Sequence, residues 1–536
     1  MKSTIPTGER FANLSKPRVP RSRFDLSHSH KTTFFDTALF PVMVEEVLPG
    51  DTFEVRLAHV IRMLTPLAPL MDNMFVDFHF FFVPNRLVWE NWERFQGAQD
   101  DPGDSTDFLI PVLDPAIGVG SAGVANTSRL AALMGIPDVG AGRNATDIIN
   151  TLPFRGYWKI WNEWYRDQDL QNSVPVPIDD GPDNIAWGLG IRCKSKDYFS
   201  SCRPEPQKGP EVLLPLGGSA PVISDGQYMT FAKEVAATNF GTLNLDAGGG
   251  VVRLNLGAPQ GGTINSGDNL MFGGDGLESD LASAIGPSVN AMREAVAIQH
   301  LLERDSRGGT RYVESLLNRF GVVSPDFRLQ RSEFLGGGRA RVGVQSVVQS
   351  SESNTTPQGT LAGMATAVGG EIGVVKSFVE HGYFFCLMSL LTDQTYQQGL
   401  RRMWTRQTRY DFYEPGLANL GEQAVLSKEL FYAATGTAGD DSDVFGYQER
   451  WAEYRFKESF VTGAMRSDHA TPLDSWHLAY DFSARPELNS AFIPSDPPIS
   501  RVVSVDSPEQ FIADLYFRFY ATRPLPVRST PGLERF

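Results

Sequence analysis

The sequence predicts a strand-rich chain, with alternating strands at both ends, a mixed, loop-rich middle and few helices. Three observations carry this. Runs near both ends alternate apolar and polar residues with period two. Gly 51 and Pro 35 make up about a sixth of the 536 residues, against a usual share of about an eighth, and the 11% aromatic content is mostly Phe 35. Helix-period segments are few and lie inside the chain. The remaining composition, 41% hydrophobic and 21% charged, excludes a disordered or collagen-like chain. Length alone suggests about three or four domains.

Residues 1–23 come first and are distinct in charge. Lys2, Arg10, Lys16, Arg18, Arg21 and Arg23 face the single acid Glu9, so this segment is +5 while the rest of a chain of net charge −15 is −20. Its other residues are mostly small, polar or Pro, without periodicity, which reads as an extended arm. A solvated terminus is one reading. The other is an arm that neutralises phosphates without reading base sequence.

From Thr52, Phe53, Val55, Leu57, His59, Ile61 and Met63 alternate with Glu54, Arg56, Ala58, Val60 and Arg62, a strand with one buried face, stopped by Pro66 and Pro69. Met74 to Val83 repeats the pattern up to Pro84. Tyr157, Trp161, Trp164 and Tyr165 share one face of a helix, an aromatic stripe that packs a core far more often than it stacks bases.

Glu211 to Gly286 holds fifteen glycines, eight acids and only Lys233 and Arg253 as bases, which reads as an exposed, acidic, β-rich insertion. Ser288 to Arg304 predicts a helix with Val289, Met292, Val296 and Leu301 among its apolar positions. Ser346 to Gly363 reads as a polar loop. The apolar run Glu380 to Leu391 fits a strand buried on both faces, and Phe511, Ala513, Leu515, Phe517 and Phe519 mark the cleanest strand of the chain, closed by Pro524 and Pro526.

Chemical motifs are mostly decoys. Gly118, Gly120 and Gly123 match GxGxxG, yet Pro111 and Pro115 precede them where a central parallel strand belongs. His28 and His30 lack further metal ligands at zinc spacing, and the acidic turn Asp100 to Asp107 lacks the EF-hand ligand order. The chain has no GxxxxGK[ST], HExxH or GxSxG, so catalytic, cofactor and metal residues are all read as none. Cys193, Cys202 and Cys386 form no disulfide framework, no apolar run is long enough to cross a membrane, and no signal peptide is expected. A reducing, cytoplasm-like compartment of synthesis follows.

Several long blocks, in order, carry a resemblance. They are Arg21 to Leu57 (RSRFDLSHSHKTTFFDTALFPVMVEEVLPGDTFEVRL), Leu152 to Val174, Lys196 to Pro210, Leu301 to Gly338, Thr355 to Gly363 (TTPQGTLAG), Asp393 to Arg406 (DQTYQQGLRRMWTR) and Pro531 to Phe536 (PGLERF). End to end, the chain resembles the major capsid proteins of the Microviridae, in the gokushovirus branch of small single-stranded-DNA bacteriophages. Only the region Glu211 to Gly286 matches by place alone.

The resemblance implies an all-β fold, an eight-stranded antiparallel jelly-roll barrel of the viral coat type, spanning residues 24–536 as one domain with long inserted loops that contain a few helices. It implies a virion protein, made in the host bacterial cytoplasm and not an enzyme, that assembles through pentamers into a sixty-subunit, T=1 icosahedral shell around circular single-stranded DNA. Lys2, Arg10, Lys16, Arg18, Arg21 and Arg23 then become nonspecific DNA contacts, and residues 211–286 a three-fold protrusion that meets a host-cell surface receptor. A small basic DNA-packaging protein and a DNA pilot protein are implied partners. Trp404, Tyr410, Phe412, Tyr413 and Trp451 lie in loops suited either to subunit interfaces or to the subunit's own core. A carbohydrate-binding jelly-roll lectin is the alternative, with an enzyme third.

Overall fold

The computed structural model describes residues 20–35, 37–114, 129–137, 148–185, 187–210, 330–433, 443–505 and 507–528, together with residue 212, short strands between 222 and 279 and the helix 289–307. The chain divides into two compact units, residues 1–206 with 324–536 and residues 207–323.

The larger unit is built on one antiparallel sheet of nine strands: β1 (Ser22–Asp25), β2 (His28–Phe34), β3 (Phe40–Val47), β4 (Thr52–Met63), β5 (Met74–Pro84), β6 (Glu333–Val348), β7 (Leu361–Ser377), β8 (Gly382–Thr392) and β9 (Phe511–Arg523). They pair in the order β1–β9–β4–β7–β6–β5–β8–β3, and β2 continues the edge of β9 that β1 begins. The sheet curls because β6 changes partners along its length. Its residues Glu333–Val342 pair with β5, and Gly343–Val348 pair with β7.

The curl brings two layers face to face. Phe53 of β4 lies 5.8 Å from Phe384 of β8, His59 of β4 lies 5.2 Å from Phe78 of β5, and Phe34 of β2 lies 5.7 Å from Phe40 of β3. The period-two strands supply the filling. In β4 every residue from Phe53 to Met63 at odd positions is buried, and in β9 Phe511, Ala513, Leu515, Phe517, Phe519 and Ala521 are buried while their neighbours face outward. Each such large side chain contributes about 1.5–3 kcal/mol when fully buried.

Strand β8 is buried over its whole length, as its apolar run predicts. Strand β5 departs from simple alternation, because only Phe75 and His79 are partly open. A second layer of packing explains both. The helix Leu152–Ile160 covers their far face: Gly156 passes close to the Phe385 ring, and Tyr157 Oη donates to the Leu39 carbonyl at 2.6 Å. The helical path then widens into a π-type turn, Trp161–Tyr165, which sets Trp164 and Tyr165 against Phe81. The aromatic stripe is therefore packing material.

Arg155 anchors that helix. Its side chain is fully buried, its Nε donates to Asp183 at 2.9 Å, and its Nη1 donates to the carbonyls of Val88 and Asp179 at 3.0 and 2.9 Å. Such a satisfied charge pair tolerates burial where a lone charge would not. A second, smaller core of Phe199, Tyr396, Val425, Leu430, Phe445 and Phe492 gathers the loops after β8 around the paired segments Glu422–Leu426 and Val444–Glu449.

In the smaller unit the described backbone forms a four-stranded antiparallel sheet, ordered Leu270–Phe272, Thr230–Lys233, Asn239–Asp246 and Arg253–Gly257, and a strand pair of Val222–Ile223 with Glu278–Ser279. Its helix runs Val289–Arg307, three residues beyond the predicted end at Arg304. The apolar positions Val289, Met292, Val296 and Leu301 are all more than 40% exposed, so this stripe is not core in the single chain.

Candidate functional site

Of the six cations read as a DNA-binding arm, Lys2, Arg10, Lys16 and Arg18 lie outside the described residues, as do Gly118, Gly120 and Gly123. Arg21 and Arg23 sit where the chain joins the sheet. Arg21 donates to the Gly50 carbonyl and, at 3.4 Å, to Thr52 Oγ1. Arg23, in β1, pairs with Glu54 at 2.9 Å and places its guanidinium 4.3 Å over the Tyr520 ring, while its side chain stays 57% exposed. Both thus have protein partners that fix the root of the arm.

The motif residues that lack a ligand set are held by local structure. His28 Nδ1 engages the Leu26 carbonyl at 2.9 Å and its ring stacks on Phe517, and His30 Nδ1 engages the Val42 carbonyl at 2.8 Å. Asp104 accepts the backbone N–H groups of Asp100 and Asp101, closing its own turn. Among the described residues no cluster of three His, Cys, Asp or Glu is arranged to hold a metal, and no helix is long and apolar enough to cross a membrane.

The aromatic loops expose several large rings together. Trp404 and Tyr410 are 70% and 66% exposed, with Met403, Phe412, Tyr413, Tyr454 and Phe460 about half exposed beside them. Trp451 instead is buried, with Tyr413 packed edge-on at 5.6 Å. Trp451 is therefore core of its own subunit, while Trp404, Tyr410, Phe412 and Tyr413 are open in the single chain.

Cations lie beneath and between these rings, and three of them are matched by acids. Arg401 Nε is 2.6 Å from Glu458 with its guanidinium 3.8 Å over Phe460, Arg402 is 3.3 Å from Glu429, and Arg406 is 3.2 Å from Glu453. Burial raises the Glu429 carboxyl, opposed by the Leu426 N–H and by Arg402. A hollow of about 320 Å³ lies among these groups, and Tyr198 Oη donates to Glu429 at 3.0 Å within it. No activated nucleophile sits there. Outward aromatics over neutralised guanidinium groups have the composition of a protein–protein interface, in which Trp, Tyr and Arg carry most of the energy. The sequence signal for it was present in RRMWTRQTRYDFYEP, but periodicity cannot separate exposed from buried rings in a loop.

The order of the strands, the loop surfaces and the comparisons with known proteins converge. The model of the family described as "Capsid protein (F protein)" matches residues 12–533. The chain is 43% identical over 533 residues to "Capsid protein VP1" of Bdellovibrio phage phiMH2K, covering 97% of each chain. It is 38% identical to "Capsid protein VP1" of Chlamydia phage 1, covering 98% of each, and 36% identical to that of Spiroplasma virus 4, covering 98% of this chain and 97% of the relative. With a match that runs nearly from end to end, the chain belongs to the capsid protein (F protein) family.

Proposed function

We propose that this protein is a coat subunit whose eight-stranded jelly roll, in sixty copies assembled through pentamers, closes a T=1 icosahedral shell around circular single-stranded DNA. The coarser statement follows from the family: the protein is a structural component of a virion, self-assembling and not an enzyme. A lectin-like function gives way to that membership.

One observation carries the jelly-roll reading. When β1 and β2 are counted as one broken edge strand, the nine strands become eight, and their order runs first, eighth, third, sixth, fifth, fourth, seventh, second. Two groups of four, each mixing strands from the start and the end of the chain, are joined through the long β6–β7 hairpin. That interleaving is what wrapping a double Greek key into facing sheets produces. The shell reading draws on the exposed aromatic loops, which closed symmetry would repeat and cover at every equivalent contact.

Three further assignments belong to the same reading. Residues 24–536 act as one capsid domain, with residues 211–286 as a surface protrusion that meets the host receptor. Residues 1–23, from Lys2 to Arg23, face inward and contact DNA through phosphates alone. Their small charge leaves room for a separate small basic packaging protein, alongside a DNA pilot protein. Electron microscopy of the purified chain tests the central assignment. Uniform isometric shells or pentamers support it, and a persistent monomer rejects it.

A further inference from the structure

We propose that a cationic cleft on the outer face of β5 is a phosphate-binding site, and that its occupant in the particle is a backbone phosphate of the enclosed single strand. The second half rests on the DNA-enclosing reading above. The first half rests on the residues themselves.

The cleft is a cavity of about 300 Å³ lined by His79, Trp164, Arg166, Asp167, Arg192 and Lys196, among others. Arg166 donates through Nη1 to the Gln171 carbonyl at 2.7 Å and lines the cleft. Lys196 Nζ lies 2.5 Å from Asp167, yet the lysine side chain remains 57% exposed to the cleft's mouth and solvent. Arg192 has a side chain only 13% exposed and reaches Asp77 at 2.7 Å.

The charge does not balance. Asp77 also takes Arg339, at 2.7 and 2.9 Å, so one carboxylate is divided between two guanidinium groups; Asp167 pairs with Lys196, Lys194 in the same lining is opposed by Asp197 and Asp496, and Arg166 meets a carbonyl rather than a carboxylate. In a chain of net charge −15, a concave surface with excess positive charge is unusual and concentrates anions. Burial, and then Arg192, keep His79 neutral at neutral pH, with its pKa lowered to about 4. Its Nδ1 lies 2.6 Å from Tyr165 Oη; in the tautomer in which the phenol donates, the imidazole proton is on Nε2 and adds a donor rather than a charge. Guanidinium, ammonium and imidazole N–H donors around one cavity match a tetrahedral oxyanion.

Trp164 does not supply base recognition here. Its Nε1 is tied to Ser332 Oγ at 2.9 Å, and Arg331 lies 5.0 Å over its ring, with Phe81 and Phe334 also packed on it. The site therefore reads phosphate and not sequence.

The test uses the purified full-length chain and two probes, a fluorescent single-stranded oligo-dT and inorganic phosphate. Arg166→Gln with Lys196→Gln is compared with a control pair of equal charge change elsewhere, Lys31→Gln with Arg56→Gln. The cleft pair should bind oligo-dT about 10-fold more weakly, with a salt slope shallower by about 0.7 for each phosphate it no longer neutralises, and the control pair should bind as the parent does. Unchanged binding by the cleft pair, or equal weakening by both pairs, overturns the cleft while leaving the DNA-enclosing reading intact. If the parent ignores oligo-dT but inorganic phosphate raises its Tm and not that of the cleft pair, the cleft stands as a free-phosphate site, and the DNA assignment fails. Should the double variant fold poorly by circular dichroism, Lys196→Gln alone, at an exposed ammonium, should still weaken oligo-dT binding about 3-fold, and no change there counts against the site.

Discussion

His59 and Asp183 show how polar side chains are accommodated between apolar layers, and they make opposite demands. His59 occupies a core position of β4, with both ring nitrogens buried and without a hydrogen-bond partner. Burial lowers its pKa, as it does that of His79 in β5, so folding favours the neutral ring. The unfolded chain takes up these protons as pH falls below about 6.5, and the folded chain does so only lower. Stability is therefore full above that value and declines as pH drops through the window between the unfolded and folded pKa values. Tm should fall between pH 7 and pH 5, and His59→Leu should flatten part of that fall. An identical pH dependence in the variant would contradict the assignment. Asp183, by contrast, is buried because Arg155 is buried with it, so Asp183→Asn should cost about 3–5 kcal/mol in denaturant unfolding.

At the scale of elements, strands whose inward residues are large and apolar were legible, and strands built on glycine were not. Phe53 to Met63 and Phe511 to Ala521 alternate cleanly and fold as read. Strands β6 and β7 form the longest hairpin in the sheet yet escaped notice, because FLGGGRARVGV and AGMATAVGG lack the large alternating side chains that periodicity detects. Their glycines answer a packing need instead. Gly336 has φ 142° at a register shift, and a Cβ on Gly337 would collide with the Phe78 carbonyl oxygen. Gly337→Ala should push β6 off β5, lower Tm by several degrees and reduce shell yield, whereas normal shells from this variant would show that the close approach is dispensable. The π-type turn at Trp161–Tyr165 was invisible for a different reason: Trp161, Trp164 and Tyr165 suit a helix face equally in either winding.

For the whole molecule, what the sequence could not convey was which loop aromatics remain exposed and which charges are already matched. Trp404 and Trp451 lie in similar stretches, but one is 70% exposed and the other is 5%. If neighbouring copies cover the exposed set in the shell, as proposed, Trp404→Ala should leave Tm of the unassembled subunit within about 1–2 °C and sharply reduce the shell fraction in sedimentation. A variant that lowers Tm and leaves assembly intact would place Trp404 in the fold's own energetics. The −15 charge of the chain suits a soluble shell, while cations close to the sheet, Arg21 and Arg23 included, are engaged by protein groups. A density map of particles assembled from the purified chain tests the coat-subunit assignment most directly. Such a map should show a closed shell of sixty copies, with β9 between the β1/β2 edge and β4 and with Trp404 to Tyr413 buried between subunits. Open or aperiodic aggregates, or closed shells in which those loops remain bare to solvent, would contradict it.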